Sequence, residues 1–245
     1  MATMHSRAPV RIDFAGGWTD VELFCTDKPG YVVNAAITIY SYASLREQTH
    51  RPLVSKNLTL YSADYDATVE APTVYKLAYD GKADLVKAAL KRMYLEPGFD
   101  LVTRSDSPLG SGLGGSASMG VAALGVLAAY KQECLLGREL AELASLIERE
   151  ELHIRGGKQD HYASALGGIS FMEFRGPTVI HSRLNVPREV VAELQKNLVL
   201  CYTGKSRVSG DIHECVTQAF TRREPKTLEA MDSLRRITVS MKLAL

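Results

Sequence analysis

The segment that most constrains this chain is Ser105-Asp-Ser-Pro-Leu-Gly-Ser-Gly-Leu-Gly-Gly-Ser-Ala-Ser118. It follows a β-prone run, Phe99 to Arg104, and opens an apolar stretch rich in alanine and glycine, Ser116 to Gln132. Glycines at 110, 112, 114 and 115 let the backbone turn tightly and approach a ligand without Cβ interference. The helix predicted from Ser116 leaves its first N–H groups unpaired, and its dipole puts about half a positive charge there. A glycine loop feeding a helix N-terminus is a ready phosphate site. The hydroxyls of Ser111, Ser116 and Ser118 can bond phosphate oxygens or ligate a divalent cation. A plain turn closed by an N-cap serine would need far fewer of both residue types.

Three known phosphate loops compete for this segment. Gly110, Gly112 and Gly115 match G-x-G-x-x-G literally. The dinucleotide fingerprint, however, needs its first glycine at a strand end, and residues including Pro108 intervene here after Arg104. The G-x-x-x-x-G-K-[ST] pattern is absent, since position 152, where its first glycine would stand before Gly157-Lys158, is Leu. The glycine loop of protein kinases lies on a hairpin, whereas this one opens a helix.

Composition removes other function classes. The 245 residues are 46% hydrophobic and 23% charged, as in ordinary globular chains, so a disordered chain or a disulfide scaffold is excluded. The 29 basic and 28 acidic residues leave a net charge of +1. No global field draws the chain to nucleic acid or to an anionic membrane, so an anionic ligand must be held by local geometry. Cys25, Cys134, Cys201 and Cys215 form no C-x-x-C pair, which sets aside zinc-ribbon and thioredoxin readings and suits a reducing cytosol. Met1 to Arg7 has no apolar core of a secretory signal. The low-charge stretch from Ser105 to Tyr130 is broken by Pro108 and glycines, unlike a membrane span. The expectation is therefore a cytoplasmic protein with a small-molecule partner.

Periodicity predicts strands at Val10–Ala15, Tyr31–Leu45 (one long or two short), Leu58–Tyr61, Thr68–Glu70, Phe99–Arg104, Ile169–Phe174 and Leu198–Thr203. Helices are predicted at Asp84–Leu95, Ser116–Gln132, Arg138–Leu152 and Asp160–Leu166, with two or three more reaching Leu245. Early strands followed by helices between later strands favour α+β over a doubly wound sheet. Pro177 to Pro187 is the expected seam between two lobes.

The loop Pro108-Leu-Gly-Ser-Gly-Leu-Gly-Gly-Ser-Ala117 resembles the P-x-x-x-G-L-[GS]-S-S-[AS] motif of the GHMP kinases, a family that includes galacto-, homoserine and mevalonate kinases. Gly115 departs from it, standing where the family usually has Ser or Thr. Arg7-Ala-Pro-Val-Arg-Ile-Asp-Phe-Ala-Gly-Gly-Trp-Thr-Asp20 is similar to the A-P-x-R-[IV]-x-[FL]-x-G-[EG]-x-T-D segment of the family's sugar kinases. Gly156-Gly-Lys-Gln-Asp-His-Tyr-Ala163, followed by Gly167-Gly168, resembles its heptose-phosphate kinase and fucokinase-like branch, as does Tyr202-Thr-Gly-Lys-Ser-Arg207. The motifs occur in family order.

The resemblance implies transfer of the ATP γ-phosphoryl group to a hydroxyl of a sugar or sugar phosphate, a heptose 7-phosphate first among them, with Mg²⁺. Pro108, Gly110, Ser111, Gly112, Leu113, Gly114, Gly115, Ser116, Ala117 and Ser118 would form the nucleotide loop. Asp160 would be the catalytic carboxylate, orienting the acceptor hydroxyl and receiving its proton. Arg11 would lie near the transferring group, and either it or Lys158 would keep Asp160 ionised by charge. On an apolar strand Arg11 wants an anionic partner, which could equally be Asp13. Asp20, with Gly17, Thr19 and Gly157 around it, would bind the sugar, and Arg207 an anionic substrate group or only a surface partner. Ser116 and Glu148 would hold Mg²⁺, although the helical wheel turns Glu151 closer to the apolar stripe than Glu148. His153 and His161 have no partners at metal-ligand spacing and read as structural or exposed.

The resemblance also implies a two-lobed α+β fold whose first lobe is like domain 2 of ribosomal protein S5. The nucleotide lobe would be residues 1–177 and the second lobe residues 178–245. Family members carry a second glycine-rich motif further on, so this second lobe is expected to be partial. A binder of the same fold without turnover, and more remotely a dinucleotide oxidoreductase, are the alternatives.

Overall fold

The computed structural model describes residues 3–48, 57–154, 156–204 and 210–245. Its frame is a mixed seven-stranded sheet built on one long strand. That strand, β2 (Gly30–Glu47), pairs antiparallel along its length with β1 (Thr3–Ala15). Its other neighbours share it end to end: residues 41–47 pair with β5 (Phe99–Ser105), and residues 30–35 with β6 (Ile169–Arg175). Beyond β5 lie β3 (Leu58–Ser62), parallel to it, and β4 (Ala67–Ala71). Beyond β6 lies β7 (Thr178–Arg183).

The period-2 alternation of these strands puts one set of side chains under the helices. Leu45, Leu58, Leu60, Phe99 and Leu101 form a core with α1 (Asp84–Arg92) and α2 (Gly115–Lys131). α2 is apolar nearly all round, as expected, and its alanines let it sit between the sheet and its neighbouring helices. Val32, Met172 and Phe174 form a second cluster with Tyr162 and Ala163 of α4 (Gln159–Leu166). The opposite face of β6 carries Phe171, which stacks with Tyr31 and lies under Lys242 of α7 (Pro225–Ala244). α4 and α7 therefore pack on opposite faces of the sheet. α3 (Gly137–Leu146) packs on α2 and α4, while α5 (Arg188–Asn197) and α6 (Gly210–Thr221) lie in the last quarter.

Two expectations are corrected. Leu198–Thr203 is neither strand nor helix; Leu198, Val199, Leu200 and Tyr202 are exposed, and this segment pairs with no strand among the described residues. Arg138–Leu152 is not one α-helix, because α3 stops at Leu146 and a π-helical turn, Ile147–Glu151, follows. Residue 177, the lobe boundary expected from the sequence, lies between β6 and β7, which pair antiparallel from Arg175↔Thr178 to Ser170↔Arg183.

Candidate active site

β1 carries the first site residues between two register shifts against β2, one between Pro9 and Arg11 and one between Asp13 and Ala15. Such bulges bend a strand and re-aim its side chains. Arg11 is turned across the sheet. Its Nε donates to Asp160 Oδ1 at 2.8 Å, and its second terminal nitrogen lies 2.6 Å from the same oxygen. The remaining nitrogen donates to the Gly112 carbonyl at 2.7 Å, and the Arg11 backbone N–H to the Leu113 carbonyl at 3.0 Å. Arg11 therefore fixes Asp160 and the glycine loop to one strand. Of the two cations considered for Asp160, it is the one that pairs with it.

The loop reaches α2 through three glycines with positive φ, Gly110, Gly112 and Gly114. Gly114 is the helix N-cap at φ 74°, and a Cβ there would lie 3.0 Å from the Asp160 carboxyl. Backbone strain and close approach both demand glycine at this position. Gly115 is different, since a Cβ there would meet nothing nearer than Ser107 Oγ at 3.8 Å. The loop and Asp160 border a cavity of about 570 Å³, lined also by Asp64, Tyr65 and the start of α1. Pro108, Ser111 and Ser116 line it. Ser111 Oγ is 2.7 Å from Ser107 Oγ. Ala117 faces the core, and Ser118 is buried with its hydroxyl donating to the Ala8 carbonyl at 2.7 Å. Ser118 ties α2 to β1 and is not turned to the cavity.

Asp20 is 5% exposed. Its Oδ2 accepts the Gln159 backbone N–H at 3.2 Å, and Gly157 makes room for it, since a Cβ at Gly157 would fall 1.8 Å from that oxygen. Burial pushes the Asp20 carboxyl up to about 7, and the Asp160 charge adds to the rise. The Gln159 side chain donates to Asp13 Oδ2 at 3.1 Å and accepts from Asn34 Nδ2 at 3.3 Å. Asp13 keeps solvent access, yet desolvation on its protein side raises its carboxyl above the usual range, against the Gln159 amide and Arg11. Gly17 lies over Asp13. Thr19 is a staple: its buried hydroxyl sits within 2.8 Å of the Gly16 and Tyr31 carbonyls and accepts the Tyr31 N–H. Gln159, which the sequence did not single out, thus holds two carboxylates at once.

Glu148 is buried in the π-turn, 8% exposed. Burial alone would raise its carboxyl. Contacts with His161 and with the Ser116 hydroxyl outweigh burial and hold it below the ordinary glutamate range. The extra residue of the π-turn resolves the ambiguity of the helical wheel: Glu148 turns inward, and Glu151 instead accepts the Tyr79 hydroxyl. Lys158 is not brought into this group. Its ammonium donates to Glu142 Oε2 and to the Pro177 carbonyl, each at 2.9 Å. Arg207 lies outside the described residues. An ionised carboxylate bonded to a serine hydroxyl at a helix N-terminus is a pair of hard oxygen donors, which fits Mg²⁺.

Comparison with known proteins bears on this geometry. The model of the GHMP kinases N terminal domain matches residues 82–168. The D-glycero-alpha-D-manno-heptose 7-phosphate kinase of Campylobacter jejuni is 35% identical over 251 residues, covering 100% of this chain and 72% of that protein. The crystal structure of a D-glycero-D-manno-heptose 1-phosphate kinase from Bacteroides thetaiotaomicron superposes with a TM-score of 0.82 at 31% identity, covering 99% of this chain and 72% of that one. The Methanococcus jannaschii mevalonate kinase structure covers 100% of this chain and 73% of its own, with a TM-score of 0.71 at 15% identity, a likeness of fold alone.

Proposed function

Since the chain belongs to the GHMP kinase family, we propose that it is an ATP-dependent sugar-phosphate kinase whose reacting centre is Asp160. The observation that carries this reading is the Arg11 bridge, which holds Asp160 in the lining of the glycine-loop cavity. The acceptor we infer is a heptose phosphate, as in the names of the relatives.

Backbone N–H groups from Gly112 to Ser116 would hold the nucleotide phosphates at the N-terminus of α2. Ser116 and Glu148 would hold Mg²⁺, which when bound neutralises phosphate charge. Asp160, paired with and fixed by Arg11, orients the acceptor hydroxyl and receives its proton. Asp20, Asp13 and Gln159 are not among the residues bordering the nucleotide cavity, and they gather beside Asp160 as hydroxyl acceptors and donors. Catalysis of this kind is positioning plus charge stabilisation.

Replacement Asp160→Asn tests the reading. ADP release with a heptose phosphate should fall at least about 100-fold, while thermal stabilisation by Mg·ATP persists. Undiminished turnover would remove Asp160 from the reaction. Stabilisation of the unsubstituted protein without any ADP release would leave a nucleotide binder.

A further inference from the structure

His161 has no part in the reading above, yet it is 2% exposed and lies against the glutamate assigned to the cation. It follows Asp160 on α4, and its Nε2 is 2.6 Å from Glu148 Oε2, off the line of a directed hydrogen bond. Its Nδ1 is buried without a hydrogen-bond partner. The cationic side chains nearest in sequence are committed elsewhere, Arg149 to Glu22 and Lys158 to Glu142. Glu148 sits in a π-helical turn, a rare conformation frequent at functional sites, where its carbonyl accepts the Ile154 N–H at 3.0 Å. The contacts that orient its carboxylate come from two other elements: Ser116 at the start of α2 and His161 on α4.

We propose that His161 is a positioning residue for the cation site, holding one oxygen of Glu148 so that the carboxylate meets Mg²⁺ in a single orientation beside Ser116. The inference rests on the assignment of Glu148 to the cation. The physical reason is general: a carboxylate ligand left free to rotate binds less tightly than one held by a second contact, and losing such a contact typically lowers metal affinity 10–100-fold. A small, reluctantly dehydrated ion that demands near-octahedral geometry is the kind most sensitive to this. Because His161 and Asp160 are consecutive on α4, the same contact also links the cation carboxylate to the helix that carries the reacting aspartate.

The test compares His161→Ala and His161→Gln with the unsubstituted protein. The first readout is the Mg²⁺ concentration that half-saturates the thermal stabilisation given by a non-hydrolysable ATP analogue. The second is stabilisation by the same analogue in EDTA. His161→Ala should raise the half-saturating Mg²⁺ about tenfold or more and leave the EDTA value unchanged. His161→Gln keeps a side-chain N–H within reach of Glu148 and should recover most of the loss, which also serves if the alanine variant fails to fold. A half-saturating concentration within twofold of the unsubstituted protein in a folded variant overturns the proposal. So does an equal loss with and without Mg²⁺, which marks a purely structural histidine. Glu148→Gln separates the underlying assignment: if it too leaves Mg²⁺ dependence unchanged, Glu148 is not the ligand, and the role given to His161 falls with it.

Discussion

Asp20 is a carboxyl withdrawn from water beside the charge of Asp160, and its Oδ2 accepts the Gln159 backbone N–H. Its folded value of about 7 stands above the ordinary 3.8, so the folded state binds the extra proton between those limits. The stability this group contributes is whole below the unfolded value and is lost as pH rises, fully by the time pH exceeds 7. The loss is at most about 4 kcal/mol. Asp20→Asn should therefore gain melting temperature over the unsubstituted protein at pH 8 and gain little at pH 4, read by thermal denaturation across that range. Equal gains at both ends would mean that Asp20 ionises freely. At this scale the sequence was legible where a motif named the residue. Arg11 pairs with Asp160, and the Asp160 charge acts on Asp20. Lys158 misled because proximity in sequence says nothing about which acid a long flexible side chain reaches, and Glu142 on α3 reached it first. Gln159 and His161 gave no signal, since their partners sit on β1, on the loop after it, on β2 and in the π-turn.

The glycine loop and α2 form an element whose exceptions are informative. Gly114 is demanded by its φ and by Asp160, but Gly115 lies inside the helix with room for a side chain. Gly115→Ser should be accommodated, with stability within about 0.5 kcal/mol of the unsubstituted protein by chemical denaturation and with turnover retained. A large destabilisation would show the loop to be tighter than its spacing indicates. Most elements were readable because their periodicity was answered by a buried neighbour. The strand expected at Leu198–Thr203 fails for the converse reason. Its β-branched and aromatic residues suit a pleated surface, but a strand forms only against a partner edge. The π-turn was unreadable because a 3.6-residue period was carried through a segment that inserts one residue.

Across the whole molecule, α7 closes over the loop between β1 and β2. Arg235, 9% exposed, donates to the carbonyls of Pro29 and Phe24 and pairs with Asp232. Lys28 reaches the same aspartate, and Phe24 meets Phe220 edge-on at 4.7 Å. This loop carries Thr19 and Asp20. Arg235→Ala leaves two carbonyls without their donor and should cost about 2–4 kcal/mol. Its effect on the acceptor KM should exceed its effect on nucleotide affinity, as measured by denaturation and steady-state kinetics. Equal effects on both would place α7 outside the acceptor side. The α+β class and the central sheet could be read from strand spacing, but the packing of the last helix against residues some two hundred positions earlier could not. Local patterns do not record such distances.

The Arg11 guanidinium answers to two masters, the Gly112 carbonyl of the glycine loop and the Asp160 carboxylate. On the function proposed above, a shift in the loop as phosphates settle into it would be felt by that carboxylate through a single rigid fork. The two ligands should then bind with synergy, each improving the other's affinity by the same factor, as thermodynamic reciprocity requires.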